Sequence, residues 1–228
     1  MGMGGQAFWP AAALSGGVVF IRDSCPRCAT HSGMRTYERR LPHWDTVGQA
    51  LFVTFRLLGS LPASRVFPPE RLRNGRAFVA MDKLLDCNRA GPLFLSRPEV
   101  ANLMVRALWD GERFERYRLH AFVVMPNHVH LLVTPQVTAR QWLGPLKGFT
   151  GHAANRLLGR SGAFWKDESY DHLVRDSQSF DRIRHYIEWN PVKAGLAGAP
   201  EEFAWSSATQ PKRADHRDST GRRIGCPT

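Results

Sequence analysis

Phe122-Val123-Val124-Met125-Pro126-Asn127-His128-Val129-His130-Leu131-Leu132-Val133 is the stretch on which the fold turns: two apolar runs are separated by Pro126-Asn127, and the second is interrupted by two histidines one residue apart. Two such runs around a two-residue turn predict an antiparallel pair of strands, about Arg116 to Met125 and His128 to Thr134. The two-residue period of a strand then sends both imidazoles to one face and Val129, Leu131 and Val133 to the other. Paired imidazoles on one face are able to hold a metal ion. A third ligand and a reacting group have to come from elsewhere in the chain.

Upstream, Ala50 to Leu57 is rich in β-branched and aromatic residues and stops at Gly59-Ser60-Leu61-Pro62, so it reads as a first strand, continuous enough in hydrophobicity to lie centrally. From Pro69 to Asn88 the period becomes helical, with Phe78, Met81, Leu84 and Leu85 at three- and four-residue steps. Ser96-Arg97-Pro98-Glu99 opens a second helix, with Ser96 as N-cap, that runs to Gly111. Downstream, Thr138 to Leu158 reads as a helix with Trp142, Leu146, Phe149, Ala153 and Leu157 on one side. Phe164 to Arg175 reads as an irregular strand, and Asp176 or Ser177 caps a last helix from Gln178 to Asn190, which Pro191 ends.

Strand, helix, strand, strand, helix, strand is the order of a ferredoxin-like α+β fold. The expected architecture is an antiparallel sheet with helices on one face, the other face free for ligands, and the last helix near the His-x-His strand. That helix carries Phe180, Ile183 and Ile187 as its core stripe. Tyr186 and Asn190, four residues apart, project from adjacent turns, so a phenol and a carboxamide share one small volume.

A formal charge of +11, from 31 Lys and Arg against 20 Asp and Glu, is spread along the 228 residues and points to a polyanionic partner. No apolar run approaches the ~20 residues of a membrane span, and the N-terminal Ala11–Leu14 and Val18–Ile21 are too short and too broken for a signal peptide. Cys25, Cys28, Cys87 and Cys226 form no disulfide framework, which agrees with a reducing, cytoplasmic location. Cys25-Pro26-Arg27-Cys28 with His31 lacks a fourth zinc ligand and is given no role. Residues 1–38 are expected to be a flexible extension, 39–208 the folded domain, and 209–228 a basic, disordered tail.

His128-Val129-His130 in its apolar run, followed by Tyr186-Ile187-Glu188-Trp189-Asn190-Pro191-Val192-Lys193-Ala194-Gly195, resembles the single-tyrosine HUH (IS200-like) transposases, and within them the REP-associated tyrosine transposases. Leu41-Pro42-His43-Trp44, Val53-Thr54-Phe55-Arg56, Phe164-Trp165 and Trp205-Ser206-Ser207 extend the resemblance over about Arg39 to Ser207. It implies a ferredoxin-like domain that nicks and rejoins single-stranded or hairpin DNA, as a monomer or a homodimer, with Mg2+ or Mn2+ as cofactor. Tyr186 matches the family's nucleophile, His128 and His130 its metal-binding histidines, and Asn190 the place of a third polar ligand, or alternatively of a contact to DNA. Arg182, Arg184, Lys193 and Trp165 are the candidate DNA contacts.

The chemistry suits those residues on independent grounds. Two imidazoles leave most of a cation's coordination sphere open to phosphate oxygens, so weak affinity without DNA is expected. A phosphotyrosine ester conserves the energy of the broken phosphodiester, so a free 3′-hydroxyl reseals the strand without a nucleotide cofactor. Tyr170, in Glu168-Ser169-Tyr170-Asp171-His172, is the competing nucleophile. Two other classes compete. One is a catalytically inactive DNA-hairpin-binding protein of the same fold; the other, a nucleotide hydrolase of the histidine-triad kind, needs a histidine where Leu132 stands.

Overall fold

The structure, a computed structural model, describes residues 35–38, 42–61, 75–87 and 91–209. The readings of Cys25, Cys28, His31 and the basic tail therefore fall outside the described residues, as does the start of the helix expected from Pro69. Arg35–Glu38 (β1) and Pro42–Asp45 (β2) pair antiparallel as a small two-stranded sheet. Leu51–Arg56 (β3) is buried along almost its whole length, as a strand with neighbours on both edges and cover on both faces must be. After it come the helix Gly75–Asp86 (α1), a 3-10 turn at Phe94–Ser96, and the helix Pro98–Arg113 (α2). Tyr117–Val124 (β4), His128–Pro135 (β5), Ala139–Leu157 (α3), Tyr170–Leu173 (β6) and Ser177–Lys193 (α4) complete the main elements.

The second sheet has the order β4-β5-β3-β6 with every neighbouring pair antiparallel. Pro126-Asn127 closes the tight turn between β4 and β5, where the Met125 N–H donates to the His128 carbonyl at 2.9 Å. The unit β3-α2-β4-β5-α3-β6 is the expected ferredoxin-like α+β arrangement, with its two helices on one face. Val53, Phe55, Val129, Leu131 and Val133 point to that face and pack on Val100, Met104 and Leu108 of α2 and on Trp142, Leu146 and Ala154 of α3.

The opposite face is not free. Phe52, Val123 and Leu132 pack there against Met81 and Leu85 of α1 and Ile183 and Ile187 of α4. These two helices lie outside the ferredoxin-like unit, one inserted and one appended, and they roof the face that carries the histidines.

Three local expectations change. The buried stripe of α3 is Trp142, Leu146, Thr150 and Ala154, while Phe149 and Leu157 are exposed. Steps of four hold the α2-facing line, and Phe149 falls about 100° off it. Ser96 lies in the 3-10 turn, where its hydroxyl donates to the Leu93 carbonyl, so Arg97 rather than Ser96 occupies the N-cap of α2. Pro191 does not end the last helix, which runs on to Lys193 with the Ala194 N–H donating to the Asn190 carbonyl. Proline removes a single donor and its φ is already helical, so the restriction on the residue before it yields to the packing of Ile183 and Ile187.

Trp205-Ser206-Ser207 has a structural task. The Val124 N–H donates to the Trp205 carbonyl and the Ser207 N–H to the Phe122 carbonyl, both at 2.9 Å, so this segment covers the outer edge of β4. Among the described residues, no helix is long and apolar enough to cross a membrane.

Gly111 shows how closely α2 packs. A Cβ there would lie 2.2 Å from the Tyr117 hydroxyl oxygen and 2.4 Å from its ring, and that hydroxyl donates to the Leu108 carbonyl. Gly111→Ala is expected to cost about 1–3 kcal/mol by overpacking, lowering the thermal midpoint by about 2–4 °C per kcal/mol. A melting curve superimposable on that of the parent protein would contradict this.

Candidate active site

Register places both imidazoles under the helical roof. His130 pairs with Thr54 of β3 and His128 with Arg56, and both histidine side chains are fully buried. Their Nε2 atoms face one another at 3.0 Å. Each Nδ1 is held from behind, His128 by Asn127 Oδ1 at 2.6 Å and His130 by Thr54 Oγ1 at 2.7 Å. The Asn127 amide donates from Nδ2 to the Leu85 carbonyl, so its oxygen accepts the His128 Nδ1–H. That bond leaves His128 Nε2 as a lone pair aimed at His130, the tautomer a metal ligand needs.

The helix α1 supplies what the sequence did not point to. Asp82 Oδ1 is 3.1 Å from His130 Nε2 and 3.7 Å from His128 Nε2, and Asp86 Oδ1 is 3.8 Å from His128 Nε2. Asp82, His128 and His130 form a cluster able to hold a metal ion, with ligand atoms within 4.8 Å of one another. A signal for Asp82 was present: it adjoins Met81 on a helix whose inward residues include Leu85, with a second Asp four residues on.

From α4, Asn190 is fully buried and its Nδ2 is 3.5 Å from His130 Nε2. A half-turn of the amide would present Oδ1 to the histidines instead. Tyr186, half-buried, has its ring centroid 5.7 Å from that of His130 and 6.2 Å from that of Phe52. The Lys193 ammonium lies 4.5 Å from the Tyr186 ring centre. One helix thus brings Tyr186, Asn190 and Lys193 to the histidines of the same chain.

The electrostatics follow from burial. Burial first, and His130 next, hold His128 down to about 3 against the pull of Asp82, so it is neutral at pH 7. Burial pushes the Asp82 carboxyl up, but His130, His128 and a hydrogen bond from Asn190 outweigh this and hold it below its ordinary value. Burial and the charge of Asp82 push Asp86 up to about 8, with Lys193 acting the other way. Burial lowers Lys193, opposed by Asp82 and Asp86.

The donor set fits a divalent cation. Asp82 Oδ1, Asp86 Oδ1 and Asn190 Oδ1 are buried without a hydrogen-bond partner, and the two carboxylate oxygens lie 3.1–3.8 Å from the imidazole nitrogens. Buried acceptors left unpaired are costly, and a cation satisfies them together. With metal–ligand bonds of about 2.1 Å, neighbouring ligands stand about 3.0–3.4 Å apart, close to the spacings here.

The remaining candidates divide. The Arg184 Nε–H pairs with Glu188 Oε1 at 3.1 Å, and Arg182 Nη2 donates to Ser179 Oγ at 2.9 Å. Trp165, expected to meet DNA, is instead a core residue: it is 8% exposed, packs edge-on against Phe55, and donates from Nε1 to Thr150 Oγ1. Its place on the α2–α3 side of the sheet puts it across the sheet from the histidines. Tyr170 lies on β6 against Phe52, and burial, then the charge of Asp171, raises its phenol well above the ordinary value, which disfavours the phenolate a nucleophile needs.

The supports behind the ligands are testable. Thr54→Val keeps shape but removes the oxygen that holds His130 Nδ1, so the affinity of the cluster for a divalent cation is expected to fall about 10–100-fold by titration calorimetry. Unchanged affinity would show that Thr54 does not orient the ring.

Residues 99–190 match the family described as IS200-like transposase, a span that includes His128, His130, Tyr186 and Asn190. An uncharacterized protein of Haemophilus influenzae is 26% identical over 113 residues, 39% of this chain and 63% of that one. The "Putative REP-associated tyrosine transposase" of Haemophilus influenzae is 26% identical over 111 residues, 42% of this chain and 61% of that one. The chain thus spans about six-tenths of the length of these curated relatives. A solved structure of a REP-associated tyrosine transposase bound to a REP hairpin is similar at 19% identity and a TM-score of 0.49, over 85% of this chain and 100% of that one.

Proposed function

We propose that this chain, which resembles the IS200-like transposases over residues 99–190, is a metal-dependent transposase that nicks and rejoins hairpin, REP-like single-stranded DNA through a covalent 5′-phosphotyrosine at Tyr186. The observation that carries this reading is the seating of Tyr186 against His130 of the same chain, 5.7 Å between ring centres, beside the buried His128–His130–Asp82 cluster. Tyr186 of α4 thus stands beside a cluster drawn from α1 and β5.

In this reading Asp82, His128, His130 and Asn190 hold Mg2+ or Mn2+. When bound there, the ion supplies Lewis-acid stabilisation of charge on the phosphate oxygens. The Tyr186 phenol gives up its proton to solvent as its oxygen attacks the scissile phosphorus, the phosphorus–O3′ bond breaks, and the released 3′-oxygen takes up a proton from solvent. Rejoining reverses these bonds, with a 3′-hydroxyl attacking the phosphotyrosine and the phenol leaving. Lys193, over the Tyr186 ring, contributes positive charge next to the reacting phenol and phosphate. Arg182 and Arg184 lie on the same helix, and the net charge of +11 favours a nucleic-acid partner.

Incubation with labelled hairpin-containing single-stranded DNA and Mg2+ or Mn2+, followed by a denaturing gel, tests the proposal. A covalent protein–DNA adduct and a nicked product are expected. If neither forms with any REP-like substrate while hairpin binding persists, the protein is a catalytically inactive hairpin binder of the same fold.

A further inference from the structure

We propose that Asp86 is a further ligand of the ion held by Asp82, His128 and His130, so that the ion fastens α1 to the sheet and binds before DNA arrives. This rests on the metal-dependent reading of the site. Asp82 and Asp86 are one helical turn apart on α1 and converge on His128 Nε2, their Oδ1 atoms 3.7 and 3.8 Å from it, while Asp82 Oδ1 also lies 3.1 Å from His130 Nε2. Both oxygens are buried and neither has a hydrogen-bond partner. Two carboxylates side by side in a buried site repel one another, and a dication matches their combined charge.

The consequences differ from those of a site built on two imidazoles alone. Two neutral imidazoles and an amide hold a hard cation weakly and leave it to the phosphate. Two added carboxylates supply the hard oxygen ligands and charge that Mg2+ and Mn2+ prefer. Donors from α1 and β5 then close on one centre, with Asn190 of α4 alongside, so the roof over the histidine face is held by the ion as well as by Met81, Leu85, Ile183 and Ile187. Metal binding becomes a contribution to the fold, with stabilisation set by ion concentration relative to Kd.

The test is Mn2+ titration of the full chain without DNA, read by calorimetry, together with amide hydrogen exchange over residues 80–87. The parent protein is expected to bind Mn2+ and to show slower exchange in α1 when loaded. Asp86→Asn should weaken Mn2+ binding at least about 10-fold and lose that protection. Asp86→Glu, which restores the carboxylate, should recover at least part of the affinity, and this separates ligation from any general damage to the fold. Parent-like Mn2+ affinity and α1 protection in Asp86→Asn would overturn the proposal. Should His130→Ala also bind Mn2+ as the parent does, the metal-dependent reading itself fails; loss in His130→Ala with none in Asp86→Asn refutes Asp86 alone.

Discussion

Tyr186→Phe is expected to remove the covalent DNA adduct and to lower strand cleavage by at least about 10³-fold, the scale on which loss of a covalent nucleophile acts. The ring is kept, so its edge-on packing against Phe52 and His130 survives and the fold should be unaffected. Affinity for hairpin DNA should change by less than about 3-fold, because the substitution removes one oxygen and keeps the ring. Tyr170→Phe serves as the control. Its phenol is held protonated by burial, so the variant should keep both the adduct and the nicking activity. Cleavage that persists in Tyr186→Phe, measured on a denaturing gel, would move the nucleophile elsewhere.

Under the proposed function, His130→Ala is expected to abolish metal-dependent activity and most of the stabilisation gained on adding Mn2+. His130 is the hub of the site: its Nε2 faces His128 Nε2, Asp82 Oδ1 and Asn190 Nδ2 at 3.0, 3.1 and 3.5 Å. For a site filled at 100 times its Kd, stabilisation is about 2.7 kcal/mol, and that increment should vanish from the difference between loaded and metal-free melting curves. Truncating a buried ring also leaves a cavity, so the metal-free variant should melt lower than the parent as well. The loss of the metal-dependent increment identifies ligation, since a cavity alone lowers both curves together. An undiminished increment would exclude His130 from the site.

Much of this was legible in the primary structure because period and position agreed. The apolar run around Pro126-Asn127 became the β4–β5 pair, and the two-residue period put His128 and His130 on one face as expected. The spacing of Tyr186 and Asn190 placed both beside His130, since residues four apart share a helical face. Asp82 and Asp86 escaped notice for a physical reason. An acidic pair on an amphipathic helix normally faces solvent; its position in line with Leu85 hints otherwise, and the placement of α1 against the histidine face shows that it points inward. Trp165 misled for the complementary reason: an indole serves equally to stack on a base or to fill a core, and its Nε1 bond to Thr150 decides for the core. The roofed histidine face was equally hidden, because periodicity shows that a helix has an apolar stripe but not which surface receives it.

Tyr186 is proposed as the residue that becomes joined to DNA beside the buried Asp82–His128–His130 cluster. The most direct measurement is tandem mass spectrometry of the covalent protein–DNA complex after nuclease and trypsin digestion. A nucleotide 5′-phosphate is expected on Tyr186 in the peptide His185–Lys193, formed only when Mg2+ or Mn2+ is supplied. A nucleotide on Tyr170, in the peptide Asp167–Arg175, or an adduct at Tyr186 formed equally well with the metal removed, would contradict it.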